Sequence, residues 1–381
     1  MTKILMDLCL EEDLPEPITA VGINGEVEGI AHCLVTAGVE TSYDDVMGVT
    51  ATALRTHFFR PRDNPGMPIG PVEGEPHKLW APRYAWTSLR HNNYGQCESA
   101  AFYYGGEVRP VDDLNAVDTW RLIRYELDAG HPVVAYGLTE GLVPTLIVGY
   151  RLEKGPLRQI LYVLTAAGRV DVDVTGLKRE SEGRFPRELL LVRPGPCVHW
   201  RGTDETRRLD ALRWAYSHAR NGRELVYESS RFYATGPAAF DAFAEFLRDL
   251  LPAELDAPIS STVEEAPVQL ALFCRAIIES WASARGAAQA YFNQWSDRLR
   301  SEDRNLEGLE AGAQSLVDLA DSHGRCLATL EGLLSELPSA PGPAGASICD
   351  GALRERLALG IEEARAQELK SVQSLGRLLG L

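Results

Sequence analysis

The chain has 381 residues, 45% of them apolar and 24% charged, enough to bury a core in two domains or one large domain with an appendage. A formal net charge of −16 and a pI near 5.0 argue against a nucleic-acid partner, because phosphate binding needs clustered Lys and Arg. The N-terminal MTKILMDLCLEEDLPE turns acidic by position 11, and no apolar run approaches the ~18 residues of a membrane span. Neither a signal peptide nor membrane insertion is expected, and the reading is a cytoplasmic protein.

The first helix spans VEGIAHCLVTAG (27–38), with Gly38 ending it, and a second starts at Ser42 in SYDDVMGVTATALRTHFF. A Pro- and Gly-rich stretch, RPRDNPGMPIGPVEGEPHK, follows and has the length and composition of a binding loop or lid. It leads into HKLWAPRYAWTSLRHNNY, where Trp80, Tyr84 and Trp86 sit among basic groups and suit a pocket for an aromatic or cationic ligand. In HNNYGQCESAAFYYGGEV, Cys97 opens a helix-like run directly after Gln96. AVDTWRLIRYELDAG reads as a helix closed by Gly130.

Four β-rich segments come next: HPVVAYG (131–137), PTLIVGYRLE (144–153), QILYVLTAAG (159–168) and RELLLVRPG (187–195). KGPLR (154–158) reads as a hairpin turn, and the short spacings predict an antiparallel sheet. From about position 203 onward the apolar residues recur at helical spacing, which predicts an all-α helical bundle interrupted by the linker PSAPGPAGAS (338–347). The expected organisation is therefore an α+β domain over 1–202 and a helical bundle over 203–381. Seven cysteines, at 9, 33, 97, 197, 274, 326 and 349, are an odd and scattered set without a CxxC pair. They read as reduced thiols, most of them small core hydrophobes, Cys33 among them.

The succession GIAHCLVTAGVETSYDDVMGVTATALR, DAGHPVVAYGL and PTLIVGYRLEKG resembles the papain-like, C39-peptidase-like superfamily. More narrowly it is similar to the branch of the butirosin-type side-chain acyltransferases of antibiotic biosynthesis. Ser42 to Gly48, Gly130 to Val133 and Leu146 to Tyr150 carry the likeness, and ATGPAAFDAFAEFL is similar to that branch's companion helical domain. The resemblance implies a papain-like domain and a Cys–His–Asp/Asn relay, in which a thiolate at a helix N-terminus attacks an acyl group. It also implies an acyl or aminoacyl donor on a carrier-protein thioester, an amine acceptor and no cofactor.

Carried over position by position, the nucleophile falls at Gly25 or Glu26, the histidine between Val143 and Thr145, and the acid between Thr165 and Ala167. None of these is a residue of the required type. Two readings stay open. In the first, chemistry survives on a rebuilt site, with Cys97 as thiol or Glu26 as base and His77, His91 or His131 as partner. Gln96 would then donate to an oxyanion, while Asn24, Trp80, Tyr84 and Trp86 would hold the ligand. In the second, a non-catalytic homologue uses its cleft to bind a small ligand or a partner protein. Glu28 and His32, four apart on one helix face, are two of the three ligands a metal-assisted enzyme would need. Amphipathic helix faces predict a homodimer.

Overall fold

Strands PTLIVGYRLE, RQILYVLT and ELLLVR are apolar at nearly every position, the pattern of a sheet covered on both faces rather than one. The structure, a computed structural model, describes residues 2–4, 25–58, 104, 107–111, 115–136, 138, 144–153, 158–165, 168–175, 188–193, 204–225, 232–249, 266–301, 307–337, 348 and 350–381. In chain order the elements are β1 (Thr2–Ile4), α1 (Gly25–Thr36), α2 (Tyr43–Val49), a 3-10 turn (Thr52–Leu54), β2 (His57–Phe58), β3 (Glu107–Val111), α3 (Ala116–Ala129), β4 (Val133–Tyr136), β5 (Pro144–Glu153), β6 (Arg158–Thr165), β7 (Gly168–Asp173) and β8 (Glu188–Arg193). They continue as α4 (Asp204–Asn221), β9 (Arg223–Leu225), β10 (Phe232–Thr235), α5 (Pro237–Asp249), α6 (Ala266–Ser301), α7 (Glu307–Leu334) and α8 (Gly351–Leu378). With its helices beside antiparallel sheets, the chain is α+β.

Two compact units emerge, Met1–Val46 with Asn93–Gly202, and Met47–Asn92 with Thr203–Leu381. The first holds a seven-stranded sheet ordered β3-β8-β4-β5-β6-β7, with β1 also paired to β5. Strand β5 is long enough for two neighbours on one edge. Its first half pairs with β4 from Tyr136↔Pro144 to Val133↔Ile147, and its second half pairs with β1 from Ile4↔Gly149 to Thr2↔Arg151. A bulge between Ile147 and Gly149 re-aims the strand between these halves.

Helices cover both faces of this sheet. Val133 and Ala135 join Trp120, Ile123 and Leu127 of α3 in one buried cluster. Val134, between them, faces α1, where a Cβ on Gly29 would come within 2.6 Å of its Cγ2. Glycine at 29 is what lets α1 lie this close to β4. Helix α3 is set by its ends. Asn115 caps it by accepting from the Asp118 N–H, and Gly130, at φ +95°, closes it with His131 N–H donating to the Glu126 carbonyl. Each buried Ile, Leu or Val of this cluster contributes about 1.5–3 kcal/mol of burial.

The second unit is built on antiparallel helices. Arg275 of α6 donates to the Leu334 and Leu337 carbonyls, and Ser296, farther along α6, donates to Ala313 at the opposite end of α7. Helix α8 returns along α7, with Gly360 against Leu333 and Arg356 paired to Glu336. Helix α5 binds α8 through Arg248 with Glu355 and Glu362 and through Asp241 with Arg365. Phe240 and Phe243 of α5 pack on Trp281 of α6.

This unit departs from the all-α expectation. It carries a three-stranded sheet, β2-β10-β9, in which Ala234 pairs with both Phe58 and Arg223. Met47–Asn92 also joins it, so a single boundary at 202/203 does not describe the division. The anchor lies in the core of α6. Arg285 donates to the Ala53 carbonyl and the Thr56 hydroxyl, and a Cβ on Gly48 would come within 2.2 Å of the Tyr291 ring. Gly48 of the sequence motif is thus a close-packing glycine. The expected hairpin turn at 154–157 and the linker at 338–347 lie outside the described residues.

Candidate functional site

Helix α1 starts at Gly25, with Glu26 as its second residue, where the resemblance places a nucleophile. The only thiol on this helix is unsuited to that role. Cys33 is buried, its Sγ donates to the Pro132 carbonyl at 3.5 Å, and burial pushes its pKa up. A thiolate does not form there at neutral pH. Cys33 is core, as its mid-helix position predicts.

The strand positions expected for the relay are equally inert. Pro144, which opens β5, brings no titratable group. Thr145 is buried and donates its hydroxyl to the Ala135 carbonyl at 3.1 Å. On β6, Thr165 donates to the Gly168 carbonyl at 2.9 Å. Leu146 pairs with Leu164, so one step along this register brings Thr145 and Thr165 to adjacent positions on neighbouring strands. Both hydroxyls are bonded to backbone carbonyls.

His131 is the described candidate with ionisable neighbours. Its backbone caps α3, and its Nδ1 lies 3.3 Å from Oε2 of Glu126, a carboxylate buried in the last turn of that helix. Arg193 on β8 grips the same carboxylate with Nε at 2.9 Å and with Nη2, and reaches Glu107 on β3 with Nη1 at 2.8 Å. The Glu126 hydrogen bond, foremost, raises the Arg193 pKa, so its charge is permanent. This fork clamps α3 to β8 and β3 and fixes the imidazole. It is an oriented histidine without a described nucleophile beside it, and its geometry is that of a cap and ion pair.

A second polar corner escaped the sequence reading. Thr41 and Tyr104 share a 2.7 Å hydrogen bond, and the Tyr104 hydroxyl donates to the buried Asp45 at 3.0 Å. Ser42 caps α2 by accepting from the Asp45 N–H. Asp44, half-buried, is held above the usual carboxylate range by desolvation and then by Asp45. The signal was Ser42 at the helix start with two acids behind it. Tyr104 lies seven residues beyond Cys97 in the sequence.

His32 on α1 is half-buried, and burial lowers its pKa, leaving a neutral imidazole. Glu28 lies one turn away, but no group of three or more His, Cys, Asp or Glu placed to hold a metal occurs among the described residues. Asn24, His77, Trp80, Tyr84, Trp86, His91, Gln96 and Cys97, and the Glu26 side chain, lie outside the described residues. No described helix is long and apolar enough to cross a membrane. No family model matches this chain, and no curated protein matches its sequence.

Proposed function

We propose that this chain is a non-catalytic homologue of the papain-like fold, with a papain-like α+β domain followed by a helical bundle, whose cleft binds a small ligand or a partner protein. Its setting on this reading is a natural-product pathway, and an amine or an acylated carrier protein is the ligand class that fits the resemblance. The observation that carries the reading is the pair of threonines. Of the described positions of the expected relay, Pro144 carries no titratable group, and Thr145 and Thr165 give their hydroxyls to backbone carbonyls. The buried thiol of Cys33 supports the same conclusion.

The competing reading is a transferase using Cys97 or Glu26, the activity that the resemblance implies. One experiment separates the two. The full chain is incubated with a panel of polyamines and acyl thioesters, and thermal shift and product mass are followed together. A shift in Tm without new amide product is the expected result. Amide formation, together with alkylation of Cys97 at neutral pH much faster than glutathione, would overturn the proposal. Glu26→Gln with undiminished binding would remove that carboxylate from the contact surface.

A further inference from the structure

The helical unit encloses a histidine that neither functional reading uses. His323 on α7 is 2% exposed and stacks on Phe292 of α6, with ring centroids 5.7 Å apart and planes 9° from parallel. Its Nδ1 is buried and has no hydrogen-bond partner among the described residues. The helices packed against α7 are α6 and α8. From α6 the charged group acting on it is Arg285, which Glu368 of α8 binds at 2.7 Å and 2.8 Å. On α7 itself the nearby titratable group is Cys326, one turn on and also buried. The Arg285 guanidinium makes four hydrogen bonds to Glu368, Thr56 and the Ala53 carbonyl, and the Cys326 thiol is hydrogen-bonded to it as well.

We propose that His323 makes the helical unit acid-sensitive: a proton taken up there sets a second buried cation beside Arg285 and loosens α7 from α6 and α8. In the neutral imidazole an unpartnered Nδ1 is an acceptor without a donor. Protonated, it becomes a buried charged N–H with no acceptor among the described residues, and Glu368 is already bound to Arg285. A buried lone charge of that kind drives opening.

The sign is fixed by two shifts that oppose each other. His323 is held well below its ordinary 6.5, by burial first and by Arg285 second. The unfolded chain therefore binds a proton that the folded unit refuses, so stability is fully present above pH 6.5 and is lost as pH falls. Burial raises the Glu368 pKa more than Arg285 lowers it, so its own protonation favours the folded form and offsets part of this loss. The His323 contribution is consequently read as a difference between two proteins. It reaches up to about tenfold in the opening constant per pH unit.

Hydrogen exchange of the full chain, read by mass spectrometry at pH 7.5, 6.5 and 5.5 and corrected for intrinsic rates, tests this in the wild type and His323→Phe. The expected result is protection in α6, α7 and α8 peptides that falls up to about fivefold from pH 6.5 to 5.5 in the wild type beyond any fall in the variant. Sheet-unit peptides should change equally in both proteins. Parallel pH profiles in the helical peptides overturn the proposal. A histidine-labelled NMR titration of the wild type does not depend on the variant folding. A neutral His323 throughout the folded state supports the proposal, and titration near 6.5 without loss of structure overturns it.

Discussion

Trp120, Ile123, Leu127, Val133, Ala135 and Ile147 meet at the centre of the sheet unit as hydrocarbon and ring, whereas the helical unit places Arg285, Glu368 and His323 in its interior. The two cores are stabilised by different means. Contact among apolar side chains is non-directional and scales with area, so the sheet unit tolerates changes that keep volume. Three buried charges or protonatable groups depend on geometry, and each partner must be present for the others to be tolerated. The second design gives up robustness and fixes one register. Arg285 aligns α6, α8 and the segment around Ala53 and Thr56 in a single arrangement.

The contrast can be broken by substitution. Glu368→Ala should cost the helical unit about 3–5 kcal/mol in urea unfolding, because Arg285 is left buried with Nε and Nη2 deprived of their carboxylate acceptors. A loss below ~1 kcal/mol would show that the pair is dispensable. Replacing both partners by Met and Leu should recover most of that stability. In the sheet unit, Leu127→Ala should cost about 2–5 kcal/mol with the same penalty at pH 7.5 and 5.5, and a pH-dependent penalty would erase the distinction. Gly48→Ala should destabilise by about 1–3 kcal/mol, since the new methyl meets the Tyr291 ring at 2.2 Å and outweighs the ~1 kcal/mol gained in helix propensity. Trimming the ring in the double variant with Tyr291→Ala tests the clash: the two losses should fall short of their sum. Asn115→Ala should cost only about 1 kcal/mol, read as lowered protection in the first turn of α3.

What the sequence made legible was local. Gly130 as a helix stop, the strand PTLIVGYRLE and Ser42 as a helix start each depend on neighbours a few residues away, and each stands where the spacing put it. β7 was passed over because GRVDVD alternates Val with charge and keeps one face wet. β2, only two residues long, becomes a strand through partners about 175 positions later, which no local window contains. Arg285, in the small-residue run ASARGAAQA, resembled a solvated helix residue, and its carboxylate lies 83 positions away. For the candidate site, the resemblance pointed to the ranges 143–145 and 165–167, and the strand register is what brings Thr145 and Thr165 to adjacent positions. The resemblance could not foresee that their hydroxyls would turn to the backbone, because that depends on the register of β4, β5 and β6.

The double duty of β5 has a consequence for the order of assembly. Lys3 pairs with Tyr150, so β1 meets its strand partner only after about 147 further residues have been made. At 5–20 residues per second, roughly 7–30 s pass on the ribosome before that partner has been made. Until then the hydrogen-bonding groups of β1 have nothing of their own sheet to meet, and its docking closes a loop about 147 residues long. The β4 half of the same edge needs a loop of only about ten residues, so β5 offers a fast seam and a slow one.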